Sequence, residues 1–205
     1  MSKKPVCLNL GCGPSGVNGW INFDWGMLPL MAKFEPVLKL LVKFGWLNKN
    51  YLVKWPKFKL VDIRKRLPLD DKSVDFIYCS HVLEHFEKWE TEMILKECQR
   101  VLKKSGMMRI VLPDLDKLVS KYKVGGAEKF CREFYGFDKD VKNWQKIFIR
   151  GHQWMYDRAT FVDLLKKTGF KKIELSERLK SKMPDVEKLD LAIHQELSAY
   201  YEVKG

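Results

Sequence analysis

An apolar run over residues 6–10 breaks into Gly11-Cys12-Gly13-Pro14-Ser15-Gly16. A run of that length and composition reads as a buried strand. The Gly-x-Gly after it permits positive φ and lets another group press on the backbone with no Cβ in the way. A strand ending in such a turn is how open α/β sheets grip nucleotide-type cofactors. Two glycines are a common pattern by themselves, so the reading depends on the rest of the chain.

Further strand-like runs stand at residues 20–23, 58–61, 74–79, 107–112, 171–175 and 189–197. Helical patterns fall between them. Pro36 opens one, with Val37, Leu38, Leu41, Val42 and Phe44 on a broad face and Gly45 as its stop. Residues 90–102 form another, with Ile94, Leu95, Cys98, Val101 and Leu102 inward, and Lys103-Lys104-Ser105-Gly106 as a basic last turn and glycine stop. Asp114 N-caps a third that turns Leu115, Leu118, Val119 and Tyr122 inward. Residues 127–135 are a fourth. A fifth runs from Asp157 or Arg158 through Phe161, Leu164 and Leu165 to Gly169. Residues 123–151 are the least patterned, with Trp144, Phe148 and Ile149 apolar, and residues 178–184 read as a basic connection. Alternation of this kind predicts a parallel sheet with helices on both faces. Asn9, Asp24, Asp62, Ser80 and Asp114 stand at successive strand ends, the edge at which open α/β sheets bind ligands. Asp24 comes after the glycine turn too closely for the usual spacing of about 20 residues, so the first crossover must be abbreviated.

The chain's 205 residues suffice for one domain with a proper core, and no apolar run is long enough to cross a membrane. The N-terminus leads straight into the first strand, so no secretory signal is expected. Five cysteines without a Cys-x-x-Cys pair argue against a disulfide framework or a zinc knuckle and predict a reducing, cytoplasmic setting. Lys and Arg outnumber Asp and Glu by 38 to 26, a net +12. That balance suits an anionic partner or a solvated basic coat; no dense basic block singles out nucleic acid. Residues 27–46, with Lys39 and Lys43 on the helix, read as a segment packed on its own domain; a lid and weak contact with a membrane surface are the rival readings.

Taken in order, Leu8-Asn9-Leu10-Gly11-Cys12-Gly13, Gly19-Trp20-Ile21-Asn22-Phe23-Asp24, Leu67-Pro68-Leu69, Ser73-Val74-Asp75-Phe76-Ile77-Tyr78, His81-Val82-Leu83-Glu84-His85, Arg100-Val101-Leu102-Lys103 and Leu112-Pro113-Asp114-Leu115 resemble class I S-adenosylmethionine-dependent methyltransferases. The resemblance runs from residue 6 to about residue 175. It implies a Rossmann-like three-layer αβα fold: about seven mostly parallel strands, the last antiparallel, and a shortened first crossover. It also implies one methyltransferase domain over residues 1–205, with 26–57 and 123–156 as insert or lid-like segments, and S-adenosyl-L-methionine as cofactor. Carried over by position, Gly11, Cys12 and Gly13 would wrap the methionine part, Asp24 would take the ribose hydroxyls, and Asp62 with Ile63 would hold the adenine. Asn9 and Ser80 complete the expected cofactor contacts. Asn9 stands where the family often has an acid, and Gly16 comes one position later than the family's third glycine.

His81 and His152 are candidate general bases, because an O-methyl transfer removes a proton from the attacking hydroxyl and imidazole titrates near neutrality. Asp114 is a third catalytic candidate, with its helix cap as the rival role. Residues 152–157 would close the substrate pocket or pack Trp154 and Tyr156 into the core. His81-x-x-Glu84-His85 also matches the zinc pattern of inverted zincins, in which the two histidines share a helix face. No Glu lies between Glu133 and Glu174 to serve as the downstream ligand, and the motif begins at a strand end. No metal is therefore assigned, and His85 is read as structural. The sequence lacks the amino-methylating Asp/Asn-Pro-Pro-aromatic motif and a Pro-Cys nucleophile. The resulting expectation is methyl transfer to a hydroxyl of a small or glycan-type acceptor, anionic ones included. An RNA-binding or RNA-methylating protein and a non-catalytic cofactor-binding module are the alternatives.

Overall fold

A computed structural model describes residues 4–47, 49–136 and 150–204. Its strands are β1 (Cys7–Leu10), β2 (Ile21–Asp24), β3 (Lys59–Leu60), β4 (Val74–Ser80), β5 (Leu102–Pro113), β6 (Lys172–Ser176) and β7 (Ser198–Lys204). They make one sheet in the order β3-β2-β1-β4-β5-β7-β6. The pairs among β3, β2, β1, β4 and β5 are parallel, and β7 runs antiparallel to both β5 and β6. The expected fold class is the one observed. Chain order reverses between β1 and β4, and ligands of such sheets bind outside the strand ends at that switch.

Helices α1 (Met27–Ala32) and α2 (Glu35–Lys43) lie between β2 and β3, α3 (Lys88–Val101) between β4 and β5, and α4 (Leu115–Ser120), α5 (Ala127–Tyr135) and α6 (Arg158–Lys167) between β5 and β6. The short α7 (Val186–Leu189) precedes β7. One face of the sheet is covered by α3 and α6. Ile94, Leu95, Cys98 and Val101 from the first, and Phe161, Leu164 and Leu165 from the second, join Leu8, Leu10, Phe23, Ile77 and Ile110 in the main core. Each such buried side chain contributes about 1.5–3 kcal/mol. The opposite face is thinly covered, by Val17, Trp20, Met183 and Leu189 over Cys7, Tyr78, Met107 and Tyr200. The first crossover accounts for this: between β1 and β2 there is only a 3-10 turn over Gly13–Ser15.

Several expectations need correcting. Residues 189–197 are not a strand; Leu189 ends α7 and Ala192–His194 form a 3-10 turn. Their apparent alternation puts Ile193 at 83% exposure, so it tracked no buried face. The strand lies after them in Ser198–Lys204, buried through its first four positions. Lys103 to Gly106 do not close a helix. α3 passes directly into β5 through Leu102, which is already extended. On α4 only Leu118 is buried; Val119 and Tyr122 face outward, the Tyr122 ring meeting Phe130 edge-on. On α2 only Leu38 is buried, and Val37 and Phe44 are exposed. Gly45 stands past the end of that helix at φ +70°, the left-handed stop expected of it. Trp144, Phe148 and Ile149 lie outside the described residues.

Candidate active site

Because five strands run parallel, Asn9, Asp24, Asp62, Ser80 and Asp114 come to one edge of the sheet, as their places at strand ends predict. At its centre the chain leaves β1 through Gly11 (φ +61°) and Gly13 (φ +51°). A Cβ on Gly11 would stand 2.3 Å from Val82 Cγ2, whereas one on Gly13 would meet nothing within 4 Å. The first glycine therefore lets the turn after β4 press against the turn after β1. The second faces open space. Asn9 is buried within β1, and Cys12 is buried between the glycines, its N–H donating to Phe23 O at 3.1 Å. Burial, with the Asp24 carboxylate beside it, pushes the Cys12 thiol up to about 12, so it stays protonated.

Asp24 ends β2. Its Oδ2 accepts the Gly13 N–H at 2.7 Å and its Oδ1 the Trp25 N–H at 2.7 Å. Burial raises its carboxyl above the ordinary value, and those hydrogen bonds only partly oppose the shift. Two residues past the neighbouring β3, Asp62 is held by Arg64: Oδ1 accepts from Nε and Oδ2 from Nη2, each at 2.9 Å. That guanidinium lowers the Asp62 carboxyl and also reaches Glu90 Oε1 at 3.2 Å. Ile63 is buried in the main core.

Past β4, Ser80 is succeeded by a left-handed residue, His81, at φ +53°. A histidine in that conformation is uncommon and marks a constrained position. Its backbone N–H donates to Val111 O at 2.8 Å. Its ring is held on both sides, Nδ1 at 3.1 Å from Glu84 Oε1 and Nε2 at 2.9 Å from Ser198 Oγ. The ring of His194 stacks on it, centroids 3.7 Å apart. His152 lies near His85, 5.1 Å between rings, and burial lowers its imidazole below the ordinary value. Asp114 caps α4 through the N–H groups of Asp116 and Lys117, is 1% exposed, and receives the Arg158 guanidinium on Oδ2 at 3.2 Å. Tyr156 is buried, while Trp154 is 41% exposed.

A further cleft of about 690 Å³ opens beyond β5, lined by Lys117, Arg158, Arg178, Lys180, Ser198 and Tyr200 among others. Ser198 begins β7 opposite Pro113, and Ser176 ends β6 opposite Tyr200. The cleft therefore lies at the same edge as the strand-end acids, on the β5-β7-β6 side.

Residues 8–110 match the family model described as a methyltransferase domain. The chain belongs to this family. It is a class I S-adenosylmethionine-dependent methyltransferase, and S-adenosylmethionine is its methyl donor. A search of curated proteins finds no match to the sequence. Among solved structures, the methyltransferase resembles the PH0226 protein from Pyrococcus horikoshii OT3 (21% identity, TM-score 0.54), covering 100% of this chain and 83% of that one. It also resembles SAM-dependent methyltransferases from Archaeoglobus fulgidus (16%, 0.55, covering 98% and 86%) and Methanosarcina mazei (18%, 0.55, covering 100% and 93%). At these identities the likeness is one of fold.

The residues present suit the donor. Gly13 leaves space where a Cβ would stand, and each Asp24 oxygen, holding one N–H, keeps a second lone pair for a hydroxyl. Sequence reading missed Arg64, Ser198 and His194, the last two of which meet His81 from far away in the chain. Arg64 alone left a local trace, two residues beyond Asp62.

Proposed function

We propose that the methyltransferase acts on a hydroxyl of a small or glycan-type acceptor, with anionic acceptors favoured, and that His81 serves as the general base. The observation that carries this reading is the placement of His81. Its neighbour Val82 is packed on Gly11, and its ring is fixed between Glu84 and Ser198. A ring so placed, with a carboxylate behind it to stabilise the imidazolium, suits proton removal from a hydroxyl. The cleft beyond β5 supports the acceptor side, since its basic lining favours a negatively charged group.

In this reading Gly11, Cys12 and Gly13 with Asn9 receive the methionine portion of the donor, Asp24 accepts the ribose hydroxyls, and Ile63 lies beside the adenine. Asp62 reaches the adenine amine with a carboxylate already shared with Arg64. Ser80 lines the space between donor and acceptor. The bound donor supplies an electrophilic methyl group on a positively charged sulfur. The protein's part is to hold nucleophile and methyl in line and keep water out, which supplies much of such a rate. His81 Nε2 takes the hydroxyl proton, exchanging its bond to Ser198 for one to the acceptor. Asp114 acts as a positioning residue, fixing α4 and Arg158 at the rim of the cleft. His152 serves in the wall of the site and not as the base.

The test is methyl transfer from radiolabelled donor to a panel of hydroxyl acceptors, anionic and neutral. His81→Gln is expected to lower kcat by about 10²–10⁴-fold while donor binding, measured by titration with S-adenosylhomocysteine, stays within threefold of the parent (roughly 0.65 kcal/mol). Label found only on nitrogen or on nucleic acid, or an unchanged kcat in His81→Gln, would overturn the reading.

A further inference from the structure

All four histidines of the chain gather around one buried carboxylate. His81 lies 3.1 Å from Glu84 Oε1, His194 stacks on His81, and His85 and His152 tilt toward each other at 5.1 Å. Glu84 is 0% exposed, and apart from the close pairing of Oε1 with His81 Nδ1 its oxygens have no hydrogen-bond partner among the described residues. Nδ1 of His85 is buried and unpartnered as well. Buried polar atoms are seldom left this way, and each asks for an explanation.

We propose that Glu84, His85 and His152 bind one first-row divalent transition-metal ion. Their donor atoms all lie within 4.8 Å of one another. Ligands on one such ion at about 2.0–2.2 Å stand roughly 3–3.5 Å apart, so modest side-chain rotation closes the set. His152 is prepared as a ligand. Its Nδ1 is 2.9 Å from Phe134 O; a carbonyl only accepts, so Nδ1 carries the proton and Nε2 keeps its lone pair. Such an outer partner is what orients ligating histidines. Gly136 packs its backbone against the face of this ring, for a Cβ there would stand 2.4–2.8 Å from Nε2, Cδ2 and Cε1. The main chain brings His152 to Glu84, since Gln153 N and Trp154 N donate to Glu84 O at 2.8 and 3.2 Å.

This arrangement answers the objection from sequence. The carboxylate ligand is the Glu inside the motif, and the third ligand is His152, so no downstream Glu is needed. The helical pairing of His81 with His85 is not formed, because His81 is left-handed and only Leu83–His85 coil as a 3-10 turn. Two imidazoles and one carboxylate favour zinc, iron, cobalt or manganese over magnesium or calcium. Three protein ligands leave a coordination position for water or an acceptor atom. The ion would bind whichever acceptor is methylated.

The experiment uses the full chain stripped with a chelator. Zn²⁺ is titrated calorimetrically and Co²⁺ by visible absorption, with Mg²⁺ as competitor. One ion per chain is expected, with cobalt d–d bands, no displacement by excess Mg²⁺, and a Tm that rises with Zn²⁺ concentration. Glu84→Gln and His152→Gln should each weaken binding by about 100-fold. Cys131→Ser, which removes the exposed thiol, should leave binding unchanged. If Glu84→Gln unfolds, the half-buried His152→Gln decides. Absence of binding to the parent chain overturns the proposal. So does binding that survives His152→Gln or is lost in Cys131→Ser.

Discussion

Arg109 and Asp190 form an ion pair with both side chains wholly buried, Nε to Oδ1 at 3.1 Å and Nη2 to Oδ2 at 2.6 Å. The guanidinium also reaches Glu202 at 2.9 Å and lies over the Tyr200 ring. Asp190 further accepts from Tyr78 Oη and the Leu179 N–H. One pair thus ties β4, β5 and β7 to the segment before β7, on the thinly covered face of the sheet. A buried pair adds little beyond a well-packed apolar substitute, but breaking it strands a charge. Arg109→Met is expected to cost about 3–5 kcal/mol in urea unfolding. Asp190→Asn should cost less, because Glu202 still faces the guanidinium. A loss below about 1 kcal/mol for Arg109→Met would mean that Asp190 is solvated in the native chain.

Asp24 carries a conflict between stability and binding. Burial holds its carboxyl above the ordinary value, so its ionised form is disfavoured on folding. A carboxyl with a raised native pKa contributes stability that is full below its unfolded value, near 3.9, and lost as pH rises through the native value. At neutral pH the charge is therefore a cost. Asp24→Asn should leave unfolding free energy at neutral pH within about 1 kcal/mol of the parent and flatten that part of the pH dependence. The same change should weaken S-adenosylhomocysteine binding at least tenfold (about 1.4 kcal/mol). Unchanged affinity in calorimetric titration would remove Asp24 from the donor site.

His194 gives an acid-sensitive element. Burial, with His81 adding to it, pushes its imidazole from 6.5 down to about 4. A histidine with a depressed native value stabilises the fold above its unfolded pKa and loses that contribution as pH falls through the native one. The window is therefore between 6.5 and about 4. His194→Asn should show a shallower fall in urea midpoint across that range than the parent does. Parallel curves would place the acid sensitivity elsewhere, with His152, shifted in the same direction by burial, the next group to vary.

The strands whose ends carry the proposed donor residues could be read from sequence because they are central and parallel. Such strands appear as unbroken apolar runs, and their ends are marked by single polar residues. The acceptor half and the histidine cluster could not be read in the same way. Ser198 meets His81 across 117 residues and Arg109 meets Asp190 across 81, and no local period records such pairs. β7 hides for a related reason. Tyr200 and Tyr201 are both buried, on opposite faces, so the strand shows no alternation, while the exposed residues just before it happen to alternate. His81-x-x-Glu84-His85 is visible as a motif, but the left-handed turn at His81 that sends it to Ser198 is not.

Gly11 and Gly13 separate packing from ligand space. Both have positive φ, so alanine at either position bears a backbone cost of about 1–2 kcal/mol. At Gly11 the new methyl would also stand 2.3 Å from Val82 Cγ2, whereas at Gly13 it meets no protein atom within 4 Å. Gly11→Ala should therefore lose more stability than Gly13→Ala in urea unfolding, and Val82→Ala added to it should restore the packing part of that loss. Gly13→Ala should lose only the backbone cost. It should nevertheless weaken S-adenosylhomocysteine binding by tenfold or more (about 1.4 kcal/mol), because its methyl enters the space assigned to the donor. The comparison is made by urea unfolding and calorimetric titration on the same preparations. Equal stability losses would contradict the contact with Val82, and full affinity in Gly13→Ala would show that the donor does not approach the turn there.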